Sequence, residues 1–230
     1  MANRVTLGFL YKPACFESLP EAISASPMHE AAIEHLTQSD KVLSRLIRKV
    51  GPCRLEPRRE TSPFQALVQS VAHQQLNGTA ANTILKRVIA LYPRRKFPAP
   101  EDVLSTPAAR LRGAGLSRAK VASIKDIAAK TILGVVPASR AIARMRDAEI
   151  LERLTSIRGV GPWTVEMLLI FKLGRLDVLP ATDFGVRKGF AVAYRRKELP
   201  EPAALLEHGE RWRPYRSIAA WYLWRALDAD

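Results

Sequence analysis

Apolar residues in this chain recur at the three-and-four spacing of helices almost wherever they cluster, and the alternation of a half-buried strand is nearly absent. Phe64, Leu67, Val68, Val71 and Ala72 fall at i, i+3, i+4, i+7 and i+8 behind Thr61-Ser62-Pro63, a helix start followed by one apolar face. That helix runs into a polar break, His73-Gln74-Gln75-Leu76-Asn77-Gly78, after which Ile84, Leu85 and Val88 resume the pattern. A glycine turn at Gly113-Ala114-Gly115 leads through Ser117, a candidate cap, to a helix with Val121, Ile124, Ile127, Ala128 and Ile132 on one face. Leu151, Leu154 and Ile157 give way to Gly159-Val160-Gly161-Pro162 before Trp163, Met167, Leu168 and Phe171 continue, which reads as helix, tight turn, helix. Ile218, Trp221, Tyr222 and Trp224 mark a closing helix, with Pro214 suited to its start. Prolines punctuate about ten such helices, so the pattern predicts an all-α fold whose first good helix lies near Ser39. Val5, Leu7, Phe9 and Tyr11 alternate instead, as a short strand or an extended tail would.

Composition adds bounds. At 230 residues and 47% hydrophobic content the chain suits one large domain or two small lobes. No apolar run approaches a membrane span, and the N-terminus lacks the charged start and continuous apolar core of a secretory signal. Its two cysteines, Cys15 and Cys53, are too few for an iron-sulfur cluster or a cysteine zinc site, and no disulfide is expected in a reducing compartment. Lys and Arg number 36 against 22 Asp and Glu, a net +14 spread over many helices, which points to a polyanionic partner bound on a folded face. RNA-binding and ribosomal proteins share such a charge, so it sets a class of partner and no more.

Two features carry candidate chemistry. Gly159 and Gly161 have no side chains and Pro162 suits the first turn of the next helix, so a phosphate can approach backbone amides at a dipole-positive end. An ordinary helical hairpin with a glycine cap has the same residues. Asp183 stands where a short loop, Leu179-Pro180-Ala181-Thr182, enters another helix, a position that suits an N-cap as well as a chemical carboxylate. Asp177 is the weaker candidate and reads as structural.

Together, the hairpin and the downstream Asp183 resemble the helix-hairpin-helix and Gly/Pro-Asp element of the DNA glycosylase superfamily. The Glu210-Arg211-Trp212-Arg213-Pro214-Tyr215-Arg216-Ser217 stretch and the helix after it are similar to the end of the 3-methyladenine DNA glycosylase II family. The break around Gln74-Gln75-Leu76 resembles that family's G-Q-Q-I-S segment, with His73 and Asn77 departing from it. The turn ending in Gly115-Leu116-Ser117-Arg118-Ala119-Lys120 matches G-L-S-x-x-K.

The resemblance implies a fold of two helical lobes with the active site in the cleft between them, residues 36–230 forming the glycosylase domain and residues 1–35 an N-terminal extension that is a candidate part of the C-terminal lobe. The β-rich lobe of larger relatives is expected to be missing or vestigial. It implies duplex DNA with damaged bases as partner, a monomer, and a place in the cytoplasm or nucleoid, or in the nucleus of a eukaryote. Gly159, Val160, Gly161 and Thr164 would grip the backbone, with Ser117 and Lys120, or Lys125, near phosphate. Gln75 or Leu76 would fill the gap left by a flipped nucleotide.

In the same resemblance Asp183 is catalytic and Trp163, Trp224 and Tyr222 line the base pocket, where an indole face suits a cationic alkylated purine. Members that also cut the backbone carry a lysine two residues after the hairpin's second glycine. Trp163 occupies that position here, implying a monofunctional enzyme that leaves an abasic site. No catalytic cofactor is expected; the carbonyls of Thr155, Ile157 and Val160 are candidates for a monovalent cation. Two other classes stay open at this stage: a glycosylase of neutral lesions such as hypoxanthine or uracil, and a non-catalytic DNA-binding module that kept only the hairpin.

Overall fold

The computed structural model describes residues 27–76 and 78–228, and among them every regular element is helical. The α-helices are α1 Pro27–Ser39, α2 Lys41–Val50, α3 Pro63–His73, α4 Gly78–Ala90, α5 Pro100–Ser105, α6 Ala108–Gly113, α7 Arg118–Ile132, α8 Ser139–Ile142, α9 Asp147–Thr155, α10 Pro162–Phe171, α11 Phe184–Ala193, α12 Pro202–Gly209 and α13 Arg216–Arg225. A 3-10 turn covers Glu210–Trp212. The expected all-α class is therefore met, with more helices than the roughly ten that proline spacing suggests, because α5, α6 and α8 are too short to show a periodic face. The alternating Val5 to Tyr11 stretch lies outside the described residues. Helix α1 ends at Ser39, where the sequence places the first helix start.

The chain divides into two compact units. The first spans Arg59–Leu168 and has α7 at its centre, packed against α3, α5 and α6. Ser62 caps α3 by accepting from the Gln65 amide at 3.1 Å, and Phe64, Leu67, Val68, Val71 and Ala72 are all buried, as their spacing requires. Each of the four larger of these side chains contributes about 1.5–3 kcal/mol, and Ala72 less. Ser117 caps α7 through the Lys120 amide at 3.2 Å. On α7 the apolar face holds as far as Ala128 and then fails: Ile132 is 51% exposed because the last turn runs past the core.

The second unit comprises residues 27–58 and 169–228, with α1, α2, α11 and α13 packed on one another. Its polar keystone is Asp40. The Asp40 Oδ1 atom caps α2 by accepting from the Val42 and Leu43 amides, while Oδ2 accepts from the Tyr194 hydroxyl and from Trp212 Nε1 and lies 3.2 Å from His208 Nε2. Burial pushes this carboxyl up, but His208, Tyr194 and Trp212 outweigh it and hold Asp40 below the ordinary carboxylate range. One side chain thus ties the start of α2 to the ends of α11 and α12. Cys53 is a buried free thiol pushed up to about 12 by its burial.

Candidate active site and nucleic-acid interface

In the second unit, the loop that delivers Asp183 is laid along α13. Ser217, fully buried, donates to the Arg175 carbonyl at 2.7 Å and accepts from the Val178 amide at 3.0 Å. Asp177 is held by Arg213 and Arg216 at 2.6 Å each, so it is the structural residue its position suggested. The loop ends in the Asp183 N-cap, whose Oδ1 accepts from the Val186 amide at 2.7 Å and from Trp224 Nε1 at 2.8 Å. Asp183 as a whole is 1% exposed. Cap and chemical carboxylate are therefore compatible roles, because the cap donors are what make a charge tolerable at such burial.

Two glycines bring α13 this close. A Cβ on Gly189 would lie 1.9 Å from the Leu223 carbonyl oxygen, and one on Gly185 would lie 2.8 Å from Trp224 Cδ1 and 3.0 Å from Asp183 Oδ1. They are one turn apart on α11, so they form a bare strip against which the α13 backbone rests.

The placement changes two expectations for the aromatics. Trp224 presents its N–H to Asp183 and its ring to Phe171, with centroids 5.7 Å apart, so it holds the carboxylate in place. Tyr222 is a correction. It is wholly buried, its hydroxyl donates to the Gly51 carbonyl at 2.9 Å and its ring meets Trp221 edge-on, which makes it a core tie between α13 and the end of α2. Phe184, which the sequence did not single out, is 43% exposed immediately beside Asp183; its exposure shows only in the structure.

In the first unit, the hairpin between α9 and α10 is fixed by α7. Gly159 has φ +75°, and a Cβ there would lie 2.2 Å from Ser123 Oγ, so both conformation and space demand glycine. The next amide back, that of Arg158, donates to Asp126 Oδ2 at 2.8 Å. Gly161 differs: it lacks a positive φ, it is exposed, and an added Cβ would meet nothing within 4 Å. Among the described residues no contact accounts for glycine at this position, and space over the backbone is open there at the start of α10.

Several residues assigned to DNA take up internal duties instead. The Val160 side chain is buried and its amide donates to the Ile157 carbonyl at 3.1 Å, so neither faces outward. Thr164 is 2% exposed, and its hydroxyl accepts from Gln74 Nε2 at 3.2 Å. Lys120 reaches back to the Ala72 carbonyl at 2.8 Å, and burial lowers its pKa; Lys125 donates to the Leu104 carbonyl at 2.9 Å. Both lysines are struts between helices. Ser117 remains exposed while capping α7. Gln75 is exposed with φ +57°, a left-handed backbone uncommon for a residue with a side chain, and Leu76 is half-buried beside it. Trp163 is half-buried in the first turn of α10.

A helical fold with a glycine hairpin, and a buried aspartate capping the helix that follows it, defines a base-excision class of DNA repair protein. Residues 68–214 match the model of the HhH-GPD superfamily base excision DNA repair proteins, and the chain belongs to that family. It is 40% identical over 194 residues to DNA-3-methyladenine glycosylase 1 of Schizosaccharomyces pombe, covering 83% of this chain and 84% of that one. The structure of the 3-methyladenine DNA glycosylase of that yeast in complex with abasic DNA superposes with a TM-score of 0.79 at 39% identity, over 85% of this chain and 95% of the other. The DNA-3-methyladenine glycosidase of Bacillus halodurans gives 0.76 at 33% identity, over 88% and 89%.

Proposed function

We propose that the protein is a monofunctional DNA glycosylase that starts base excision repair by releasing alkylated purines such as 3-methyladenine and 7-methylguanine from duplex DNA. The observation that carries the reading is Asp183, an aspartate almost sealed from solvent that opens α11 with two N–H donors on one oxygen. The exposed Gly161 amide at the dipole-positive start of α10 suits a backbone phosphate, and Gln75 or Leu76 fills the gap left by the flipped nucleotide.

The chemistry follows from charge. As the bond between C1′ and the base nitrogen stretches, its electron pair leaves with the base and positive charge develops on the sugar, where a fixed negative charge stabilises it. Such stabilisation acts through space and suits a buried carboxylate; taking a proton from water would require an exposed oxygen. Water then bonds to C1′ and loses its proton to solvent. A purine alkylated at N3 or N7 departs as a neutral base, so no acid is needed, and the Trp163 ring supplies a face for the cationic base before it leaves. With an indole at position 163 no amine forms a Schiff base with the sugar, and the backbone stays intact.

A monovalent cation fits the hairpin carbonyls of Thr155, Ile157 and Val160. The Thr155 carbonyl closes the dipole-negative end of α9, and the Ile157 oxygen two residues on, which accepts from Val160, keeps a second lone pair. Such an ion would neutralise carbonyl charge beside the phosphate, and no step of base release passes through it. The proposed place of action is that of its substrate, the cytoplasm or nucleoid, or the nucleus in a eukaryote.

The relatives named for 3-methyladenine favour alkylated bases over hypoxanthine or uracil, and they favour an enzyme over a module that only binds DNA. Incubation with a methylated duplex is expected to release free 3-methyladenine while the strand stays whole until alkali is added. Strand scission without alkali would contradict the monofunctional reading, and release of uracil or hypoxanthine alone would contradict the substrate class.

A further inference from the structure

We infer that Gln74 is a positioning residue: its amide group locks the turn carrying Gln75 and Leu76 to the phosphate-gripping hairpin, so that the two act on a duplex as one rigid tool. The inference rests on the readings of that hairpin as the backbone grip and of Gln75 or Leu76 as the gap filler.

The Gln74 amide nitrogen has two hydrogens and spends both, on the Gly159 carbonyl at 3.0 Å and on Thr164 Oγ1 at 3.2 Å. Those acceptors flank Gly161 on either side. Gly159 is itself pinned by its backbone angle and by Ser123, and Thr164 is buried in the first turn of α10, so neither acceptor can follow a moving glutamine. Gln74 is therefore clamped to the part of the hairpin that would hold a phosphate.

The other end of the strut is equally fixed. Gln74 is the C-cap of α3, its amide donating to the Ser70 and Val71 carbonyls. Residues before it are tied down in turn: Lys120 Nζ donates to the Ala72 carbonyl, and the His73 ring bonds the Gln69 carbonyl at 2.7 Å and Asn82 Oδ1 at 3.0 Å. Only after this pedestal does the chain reverse, at Gln75, whose left-handed backbone persists because its surroundings over-determine it. A residue that fills a gap in a base stack must not bend back as the displaced nucleotide returns. The depth at which Gln75 and Leu76 enter is then set by where the hairpin seats on the backbone.

The test compares duplex with single-stranded substrate, since only a duplex has a gap to fill. Gln74→Met keeps volume and removes both donors; Gln74→Glu presents only acceptors to the Gly159 carbonyl. Each full-length variant would be assayed by single-turnover release of 7-methylguanine from one oligonucleotide, alone and annealed. A misplaced contact costs about tenfold to a hundredfold, so the duplex rate is expected to fall by at least about tenfold relative to wild type while the single-strand rate stays within about twofold. Equal loss on both substrates would mean that Gln74 only supports the fold and would overturn the inference, as would a duplex rate unchanged in both variants. Gln75→Ala and Leu76→Ala run alongside: if neither lowers duplex release, the gap-filler reading itself falls, whereas if one does and Gln74→Met does not, only the strut is lost.

Discussion

Trp224→Phe is the perturbation that most sharply separates holding the catalytic charge from merely packing beside it. Phenylalanine keeps a flat ring against Phe171 and loses one atom that matters, the Nε1 donor 2.8 Å from Asp183 Oδ1. A hydrogen bond to a charged group is worth about 1.5–3 kcal/mol. Were all of it felt at the transition state, base release would slow by about tenfold to a hundredfold, since about 1.4 kcal/mol is one factor of ten. The Val186 amide still caps through the same oxygen, so the carboxylate is loosened and not evicted. The assay is single-turnover release of 7-methylguanine across a range of enzyme concentrations, with thermal melting of the free protein beside it. A fall in the maximal rate with little change in the half-saturating concentration is expected, because nothing in the bond touches the DNA backbone. Gly185→Ala should reproduce the defect without removing any atom of the pair, since its new Cβ would push on Trp224 Cδ1 at 2.8 Å. A Trp224→Phe enzyme that melts earlier yet releases base at the wild-type rate would refute the reasoning.

Other outcomes follow from the same geometry. Gly159→Ala, strained by φ +75° and by Ser123, should destabilise the protein by about 1–3 kcal/mol in urea unfolding, whereas Gly161→Ala should leave the melting temperature unchanged and weaken duplex binding measured by fluorescence anisotropy. Asp40→Asn should lower stability at neutral pH by about 2 kcal/mol, as charge-assisted bonds to Tyr194 and Trp212 are weakened. Because the folded-state pKa of Asp40 lies below the ordinary 3.8, that contribution is complete above 3.8 and fades as pH falls toward the folded value, so urea midpoints of the two proteins should converge only in strong acid. Binding to undamaged duplex should fall linearly on a log-log plot against salt, with a slope reporting the number of phosphates neutralised; a flat plot would mean the net +14 is not the source of affinity.

Much of this was legible in the sequence because the signals were local. Ser62 and Ser117 cap the helices their spacing announced, and Phe64 to Ala72 bury the face that their period defines. The Gly159 turn and the Asp183 start of α11 stand where turn and cap chemistry put them. What stayed hidden depends on residues far apart in the chain. Nothing near Trp224 says that its nitrogen meets Asp183, 41 residues earlier, and nothing near Gly189 reveals the Leu223 backbone across from it. The pocket role of Tyr222 came with the resemblance, yet a helix rich in aromatics can bury its whole circumference, as α13 nearly does. Lys120 and Thr164 read as phosphate contacts because of their residue types; their partners, Ala72 and Gln74, belong to a different helix end. Gln74 and Gln75 are indistinguishable by type, and only the backbone reversal between them turns one inward and the other out.

The central claim is that the charge on Asp183 drives base release, and Asp183→Asn isolates it, because asparagine still caps α11 and still accepts from Trp224. Single-turnover release of 3-methyladenine and 7-methylguanine from methylated duplex, measured for both proteins at matched DNA occupancy, is the direct test. A loss of at least about a hundredfold in the variant, with duplex affinity retained, is the expected result. Release by the variant near the wild-type rate would leave Asp183 a helix cap and contradict the account.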